Sequence, residues 1–517
     1  MIRNLVAAAV GGLLLALSFP KWGLYYCAWI SFVPLFLALE SQPRLHVSAL
    51  LGGIFQAAFA VIDLIWIHKA LVVHGDLYWV FAGILFLGLV AVISLFGVGF
   101  GLATGYAYSK GLPTYVTAPI AWTSFEYART YLFSGFPWDL VGYSQVVWPV
   151  FIQVADITGI YGISFLVVVV NASLWEISQR LFFQKKIRIE VLIYCVTVCC
   201  AAGLYGVFRL DQVGSIQSSV PTYSVGILQG NIPQELKWER SAIGHSFDTY
   251  ERLAIEAKEK GAKLMIWPET SLPALVAVTE HEWRKVLDIS GKVGVPMLVG
   301  APSYTEVQGK ILYHNSAFLV VDSMLRFRYD KMHLVPFGEY MPLDWLLPLG
   351  SGFAVLEADY SPGKTMTVMK VPDGPPFSVL ICYEAIFPGM SRMAIDNGAR
   401  LLVNIVNDGW FAGTAAPYQH LLMAGVRSVE NRTPLVRAAN TGISAIFDAT
   451  GYMAASLPWN TCGVIVFNIP VNDPIWSFYR EFGDIFALTC VTVSLCLVMW
   501  AMKWGIANDD SRWPTKK

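Results

Sequence analysis

The chain has 517 residues, 55% hydrophobic and 14% charged, with net charge −1 and mean hydropathy +0.53. A soluble domain carries about 25% charged residues, so the shortfall excludes an ordinary soluble protein and points to a membrane. The near-zero charge gives no electrostatic case for nucleic acid.

Apolar runs follow one another up to about residue 208. A spanning helix needs roughly 20 mostly apolar residues. Such runs stand near 4–19, 24–40, 47–67, 78–100, 114–130, 158–178, 189–208 and 484–503. The first is read as a retained span and not a signal peptide. The run at 24–40 follows at once, and "SFPKWG" is a poor small-residue cleavage site. Basic residues then set the orientation. With the N-terminus inside, cytoplasmic segments hold Arg3, Arg44, Lys110, Arg180, Lys185, Lys186, Arg188, Lys503, Arg512, Lys516 and Lys517. The opposite loops hold Lys21, Lys69 and Arg129. Both termini are therefore expected in the cytoplasm, with the soluble part on the outer side.

Charges inside spans are expensive. Asp63 falls near the outer end of the third run. Glu126 and Arg129 are three apart, so they share a helix face and can pair. They are either helix-end residues or the polar lining for a lipid head group. The following "SGFPWDLVGYSQ" reads as an interfacial loop.

From about 221 to 470 the pattern changes. "YSVGILQG" (223–230), "AKLMIWPET" (262–270), "VPMLVGAP" (295–302), "FSVLICYE" (377–384) and "ARLLVNIVND" (399–408) are short apolar strands. "HSFDTYERLAIEAKEKG" (245–261) and "EHEWRKVLDISGKVG" (280–294) are helical. Strands buried on both faces and alternating with helices predict a layered α/β fold. The domains expected are a transmembrane bundle over 1–210, a soluble α/β domain over 221–470, a C-terminal span over 484–504 and a cytoplasmic tail over 505–517.

Polar residues gather where these strands end, which is where layered α/β sheets build sites. "IWPETSLP" puts Glu269 after one strand, "YDKMHLVPFGEYMP" offers Lys331 and Glu339, and "VLICYEAIFP" offers Cys382. A carboxylate can take the thiol proton, the thiolate can attack a carbonyl, and an ammonium can stabilise the oxyanion. Taken singly, each residue has a plain alternative. Glu269 could cap a helix, Lys331 could be a solvated surface lysine, and Cys382 could be core. The eight cysteines show no C-x-x-C spacing and mostly sit in apolar runs, unlike a disulfide or metal framework.

At these residues the chain resembles the nitrilase superfamily, whose sites combine Glu, Lys and Cys in that order. With the preceding spans, nearly its whole length resembles the apolipoprotein N-acyltransferase family of the bacterial inner membrane. Further matches are "VGILQGNIPQELKW" (225–238), "NDGWF" (407–411), "YQH" (418–420), "GFPW" and "GYSQ". The resemblance implies an αββα sandwich on about eight transmembrane helices. Cys382 would be the nucleophile, Glu269 the base and acid, and Lys331 the electrostatic stabiliser. The Tyr383 N–H would enter an oxyanion hole. Glu339 and Glu384 would be supporting carboxylates, and Trp238 would stand on a loop near the site. A lysine that often follows "NDGWF" in the family is replaced by "AGTAAP", so that loop receives no catalytic role.

The implied reaction moves an acyl chain from a phospholipid, expected to be phosphatidylethanolamine, onto Cys382. It then passes to the α-amine of an S-diacylglyceryl-cysteine on an apolipoprotein. No metal, cofactor or nucleic acid is expected, and the catalytic domain would be periplasmic. The alternative is a membrane-tethered amidase acting on a small amide, although an anchor needs one span and not seven. A transporter would need a polar midplane pathway, for which only Asp63, Glu126 and Arg129 are on offer.

Overall fold

The computed structural model describes residues 1–41, 44–75, 77–182, 188–233, 240–272, 280–340, 360–411, 413–471, 473 and 475–507. Trp238 lies outside the described residues. Among the described residues, four helices are long and apolar enough to cross a membrane: Leu45–Asp63, Trp79–Ser109, Ile160–Phe182 and Ile189–Ser219. Ile2–Leu17 and Ile485–Ala507 are also apolar, and Thr114–Tyr131 completes the bundle's main helices. The run at 24–40 does not form one helix. It divides into a 3-10 turn, Tyr25–Trp29, and a short helix, Val33–Glu40. Small residues allow two long helices to touch: a Cβ on Gly52 would collide with the backbone of Gly97 and Gly101.

Glu126 and Arg129 lie buried on one face of Thr114–Tyr131, and both reach for loop backbone. Glu126 Oε1 accepts the Val141 N–H at 2.7 Å, and Arg129 Nη2 donates to the Trp138 carbonyl at 3.1 Å. The loop they hold is buried, with Trp138, Leu140, Val141, Tyr143 and Gln145 all inside. "SGFPWDLVGYSQ" is thus a buried loop between the bundle and the Ala416–Asn431 helix, held in part by these two charged side chains.

Among the described residues, twelve strands form two six-stranded sheets. The first comprises β1 (Thr222–Gln229), β2 (Leu264–Ile266), β3 (Met297–Val307), β4 (Lys310–Val321), β5 (Met324–Asp330) and β12 (Gly463–Pro470), in the order β12-β1-β2-β3-β4-β5. The second comprises β6 (Val368–Met369), β7 (Phe377–Ile381), β8 (Leu401–Val406), β9 (Leu435–Ala439), β10 (Ser444–Phe447) and β11 (Met453–Leu457), in the order β11-β10-β9-β8-β7-β6. β1, β2 and β3 run parallel, as do β7, β8 and β9; the other pairs are antiparallel.

Alternation explains the layering. Leu264 and Ile266 enter the core between the sheets, whereas Met265 and Trp267 face the outer helices. Ala317 and Leu319 likewise oppose Phe318 and Val320 on β4. Arg240–Glu259 and Glu280–Val293 cover the first sheet. Pro388–Asp396 and Ala416–Asn431 cover the second, giving an αββα sandwich.

The helix Ala416–Asn431 is buried on both sides. Leu421 and Ala424 join the sandwich core, while Met423, Val426 and Val429 join the bundle core. A polar seam runs along it. Arg427 donates to the Tyr143 hydroxyl at 2.7 Å, and Glu430 accepts the Ile160 N–H at 3.1 Å. Just beyond it, Arg432 and Arg209 both meet Asp156, at 2.7 Å and 2.8 Å. The Tyr205 hydroxyl also donates to Asp156, at 2.7 Å.

Such buried pairs add little net stability, but removing one partner leaves an uncompensated charge. Asp156→Ala strands two guanidiniums and is expected to cost about 3–5 kcal/mol. Thermal unfolding of the detergent-solubilised protein checks this; an unchanged midpoint would mean that solvent replaces the carboxylate.

Candidate active site

Glu269, Lys331 and Cys382 come together at one end of the two sheets, with Glu339 beside them. Glu269 follows β2, and the chain turns at once through Thr270, whose φ is +47°. A Cβ on Gly300 of the neighbouring strand would strike the Pro268 carbonyl and the Glu269 Cα. Glycine at that position therefore lets β3 close on the carboxylate. Asn315 Nδ2 donates to Glu269 Oε1 at 2.7 Å, and the Asn407 N–H donates to Oε2 at 2.8 Å. Burial raises the Glu269 carboxyl pKa; Lys331 opposes this and Glu339 adds to it.

Lys331 directly follows β5 and is 1% exposed, so the surface-lysine alternative fails. Its Nζ donates to Glu339 Oε1 at 2.8 Å and lies 3.8 Å from Glu269 Oε1. Burial acts to neutralise it, but Glu339, Cys382 and Glu269 together raise its pKa. It is a fixed cation. Glu339 also takes Asn315 Nδ2 at 3.0 Å and the Val335 N–H at 2.8 Å, which fixes the loop after Lys331.

Cys382 directly follows β7 and opens the 3-10 turn Cys382–Ile386. Its φ is +53°. A side chain in that left-handed region costs about 1–3 kcal/mol and persists only where surroundings enforce it. The thiol is partly accessible, yet its deep setting pushes its pKa well up; Glu269 adds to this and Lys331 opposes it. The resting group is a neutral thiol, and its nucleophilicity depends on a base.

Glu384 enforces the turn. Its Oε2 accepts the Ile381 N–H at 2.7 Å. Its Oε1 accepts the Tyr329 hydroxyl at 2.8 Å, the Met332 N–H at 2.7 Å and the His333 N–H at 3.1 Å. It therefore joins the residues on either side of Lys331 to the residue before Cys382. Tyr383 points toward the bundle, where its hydroxyl donates to the Gly135 carbonyl at 3.2 Å.

The sequence reading missed several partners. Asn315 bridges Glu269 and Glu339 from the middle of β4; its only signal is the polar triplet "HNS" inside an apolar strand. "NDGWF", given no catalytic role from sequence, supplies the Asn407 N–H that holds Glu269. Behind Cys382 stands a buried cluster of His420, Asp408, Arg437 and Asn404. His420 Nδ1 lies 3.1 Å from Asp408 Oδ1, and Arg437 Nη2 donates to Asp408 Oδ2 at 2.7 Å. Burial works against the Asp408 charge, but Arg437 and His420 hold its pKa below the ordinary value. Among the described residues no group of three or more His, Cys, Asp or Glu is placed to hold a metal, and Cys382 and Cys462 are both free.

Comparison with known proteins adds the family. Residues 11–173 match the apolipoprotein N-acyltransferase N-terminal domain, and residues 224–473 match the carbon-nitrogen hydrolase domain. An apolipoprotein N-acyltransferase from Geobacter metallireducens is 35% identical over 499 residues, covering 95% of this chain and 93% of the relative. One from Brucella melitensis is 30% identical over 524 residues, covering 97% of each. One from Rhizobium meliloti is 31% identical, covering 97% of this chain and 96% of the relative. Among solved structures, an amidase from Nesterenkonia sp. is 20% identical, covering 48% of this chain and 91% of that one, with a TM-score of 0.36. Near-complete alignment with relatives of one name, across both the helical and the strand-rich parts, makes this chain a member of the apolipoprotein N-acyltransferase family.

Proposed function

We propose that the protein carries an acyl chain from a membrane phospholipid, through a thioester on Cys382, to the N-terminal amine of a diacylglyceryl apolipoprotein. The observation that carries this reading is the buried Lys331 ammonium, 2.8 Å from Glu339 and 3.8 Å from Glu269, whose charge also acts on Cys382. A cation fixed beside a neutral thiol and a carboxylate of raised pKa suits acyl transfer by a general base.

Glu269 takes the Cys382 proton as sulfur attacks the lipid ester carbonyl. The tetrahedral oxyanion meets the Lys331 ammonium and the Tyr383 N–H. On collapse the ester C–O bond breaks, Glu269 returns the proton to the glycerol oxygen, and a lysophospholipid leaves. The α-amine of the acceptor then attacks the thioester and gives its proton to Glu269. The C–S bond breaks, and Cys382 leaves as a thiol with that proton. Phosphatidylethanolamine is the donor we favour. Glu339 and Asn315 serve by holding Lys331 and Glu269, and Glu384 by holding the Cys382 turn. Residues 1–210 and 484–504 would form the bacterial inner-membrane part and residues 221–470 the periplasmic catalytic part. Tyr383, Ile386 and Phe387 pack in the bundle's core, so the nucleophile's turn adjoins the helices through which a lipid would arrive.

A ping-pong exchange requires an intermediate that outlasts the first step. Phospholipid alone is expected to add one acyl mass to the protein, released by hydroxylamine and mapping to the Cys382 peptide. A diacylated lipopeptide will discharge it as N-acylated product. Cys382→Ala and Glu269→Gln will stay unloaded. Turnover by a wild type that never carries the acyl group would remove the exchange mechanism.

Lys331→Met is expected to slow acyl-enzyme formation on the order of 10²-fold, as for loss of an oxyanion partner. Single-turnover loading measures this, and a rate near wild type would exclude the stabilising role.

Topology is tested separately. Residues Gln308 and Gly309 make the exposed turn between β3 and β4. A reporter inserted there will behave as exported, and one fused after Lys517 as cytoplasmic. The same side for both refutes the orientation.

A further inference from the structure

The peptide joining Cys382 to Tyr383 has two polar ends. The mechanism uses one, the Tyr383 N–H. The other is the Cys382 carbonyl. A peptide unit is planar and trans, so its C=O and N–H point in opposite directions. Whatever holds the carbonyl aims the N–H.

The holder is His420. Its Nε2 lies 3.1 Å from the Cys382 carbonyl oxygen. Asn404 Nδ2 stands farther off, at 3.5 Å, and spends its better contact on the Leu380 carbonyl at 2.8 Å. A carbonyl only accepts, so His420 Nε2 carries a proton. Its Nδ1 sits between an acceptor, Asp408 Oδ1 at 3.1 Å, and a donor, Arg437 Nη2 at 3.2 Å. The neutral ring takes the Arg437 N–H; the imidazolium gives its second N–H to Asp408. Either way Nε2–H stays on the carbonyl. Arg437 is itself pinned by Asp408 at 2.7 Å and Asn404 Oδ1 at 2.5 Å.

The ring is also gripped from the bundle. The Trp138 indole lies 5.7 Å from it, centroid to centroid. Trp138 Nε1 donates to Gln419 Oε1 at 3.0 Å, and Gln419 Nε2 donates to Asp63 Oδ1 at 2.9 Å. A donor on the carbonyl also polarises the peptide and strengthens its N–H as a donor.

We propose that His420 is a positioning residue of the acyl transfer: by holding the Cys382 carbonyl it aims the Tyr383 N–H at the oxyanion, and Trp138 keeps it there. This rests on Cys382 as nucleophile and Tyr383 N–H as oxyanion donor. Glutamine can place its amide nitrogen where Nε2 stands; asparagine reaches only the Nδ1 position. Acyl-enzyme formation is measured on the full-length protein in detergent with phosphatidylethanolamine, for wild type, His420→Gln and His420→Asn. Alkylation of Cys382 by iodoacetamide is followed on its own peptide. Alkylation passes through no oxyanion and so reports the thiol alone.

His420→Gln is expected to load near the wild-type rate. His420→Asn will load on the order of 10²-fold more slowly, with the half-saturating phospholipid concentration unchanged and alkylation at the wild-type rate. Wild-type loading by His420→Asn would overturn the proposal. Equal slowing in both variants would also overturn it, as would alkylation that falls in step with loading. A Cys382→Ala protein that still turns over would remove the nucleophile assignment itself. Failure of the His420 arm alone would leave that assignment standing.

Discussion

The candidate site depends on one buried carboxylate. Glu384 receives four donors from two parts of the chain that belong to different sheets. Tyr329, Met332 and His333 surround Lys331 at the end of β5, and Ile381 precedes Cys382 at the end of β7. Burial pushes its carboxyl up to about 7, opposed by the Ile381 N–H, Lys331, Tyr329 and the His333 N–H. A carboxylate buried this completely is tolerable only with such a set of donors. The strained turn at Cys382 and the placement of Lys331 are therefore one construction. The sandwich supplies strand ends that face each other, and Glu384 fastens them.

The charges around the thiol follow a consistent logic. Burial disfavours the thiolate, Glu269 disfavours it further, and Lys331 alone pulls the other way among the main influences. The sulfur therefore rests as a thiol, and in the proposed mechanism it becomes nucleophilic when Glu269 removes its proton. Thiolate character governs oxidation as well as attack. A thiol that rests neutral is for the same reason protected from oxidation.

Part of this was legible in the sequence. Glu269 and Cys382 each follow an apolar strand, visible without coordinates, whereas Lys331 follows the charged strand β5 and is marked only by its polar turn. The layered fold was legible from β1, β2, β3, β7 and β8, whose apolar runs are continuous. β9 was not, because Arg437 interrupts its pattern; the charge is paid for by Asp408 and Asn404, which lie on another segment. Asn315 was hidden in mid-strand. His420 was quoted only as part of "YQH", since its contact with the Cys382 carbonyl exists only once helix, strand and turn are packed. The run at 24–40 misled for a related reason. Apolarity marks what is buried from water, not whether it continues as a helix.

The helix Ala416–Asn431 bears on how such an enzyme can be divided. Excising the membrane helices would expose Met423, Val426 and Val429 as an oily stripe. It would also leave Arg427, Glu430 and Arg432 without Tyr143, the Ile160 N–H and Asp156. A water-soluble version therefore needs its own rebuilt surface on that helix, with those charges replaced together. Shortening the gene is not enough, and any lineage passing between a free-standing sandwich and this anchored one must have recoded that single helix along the way.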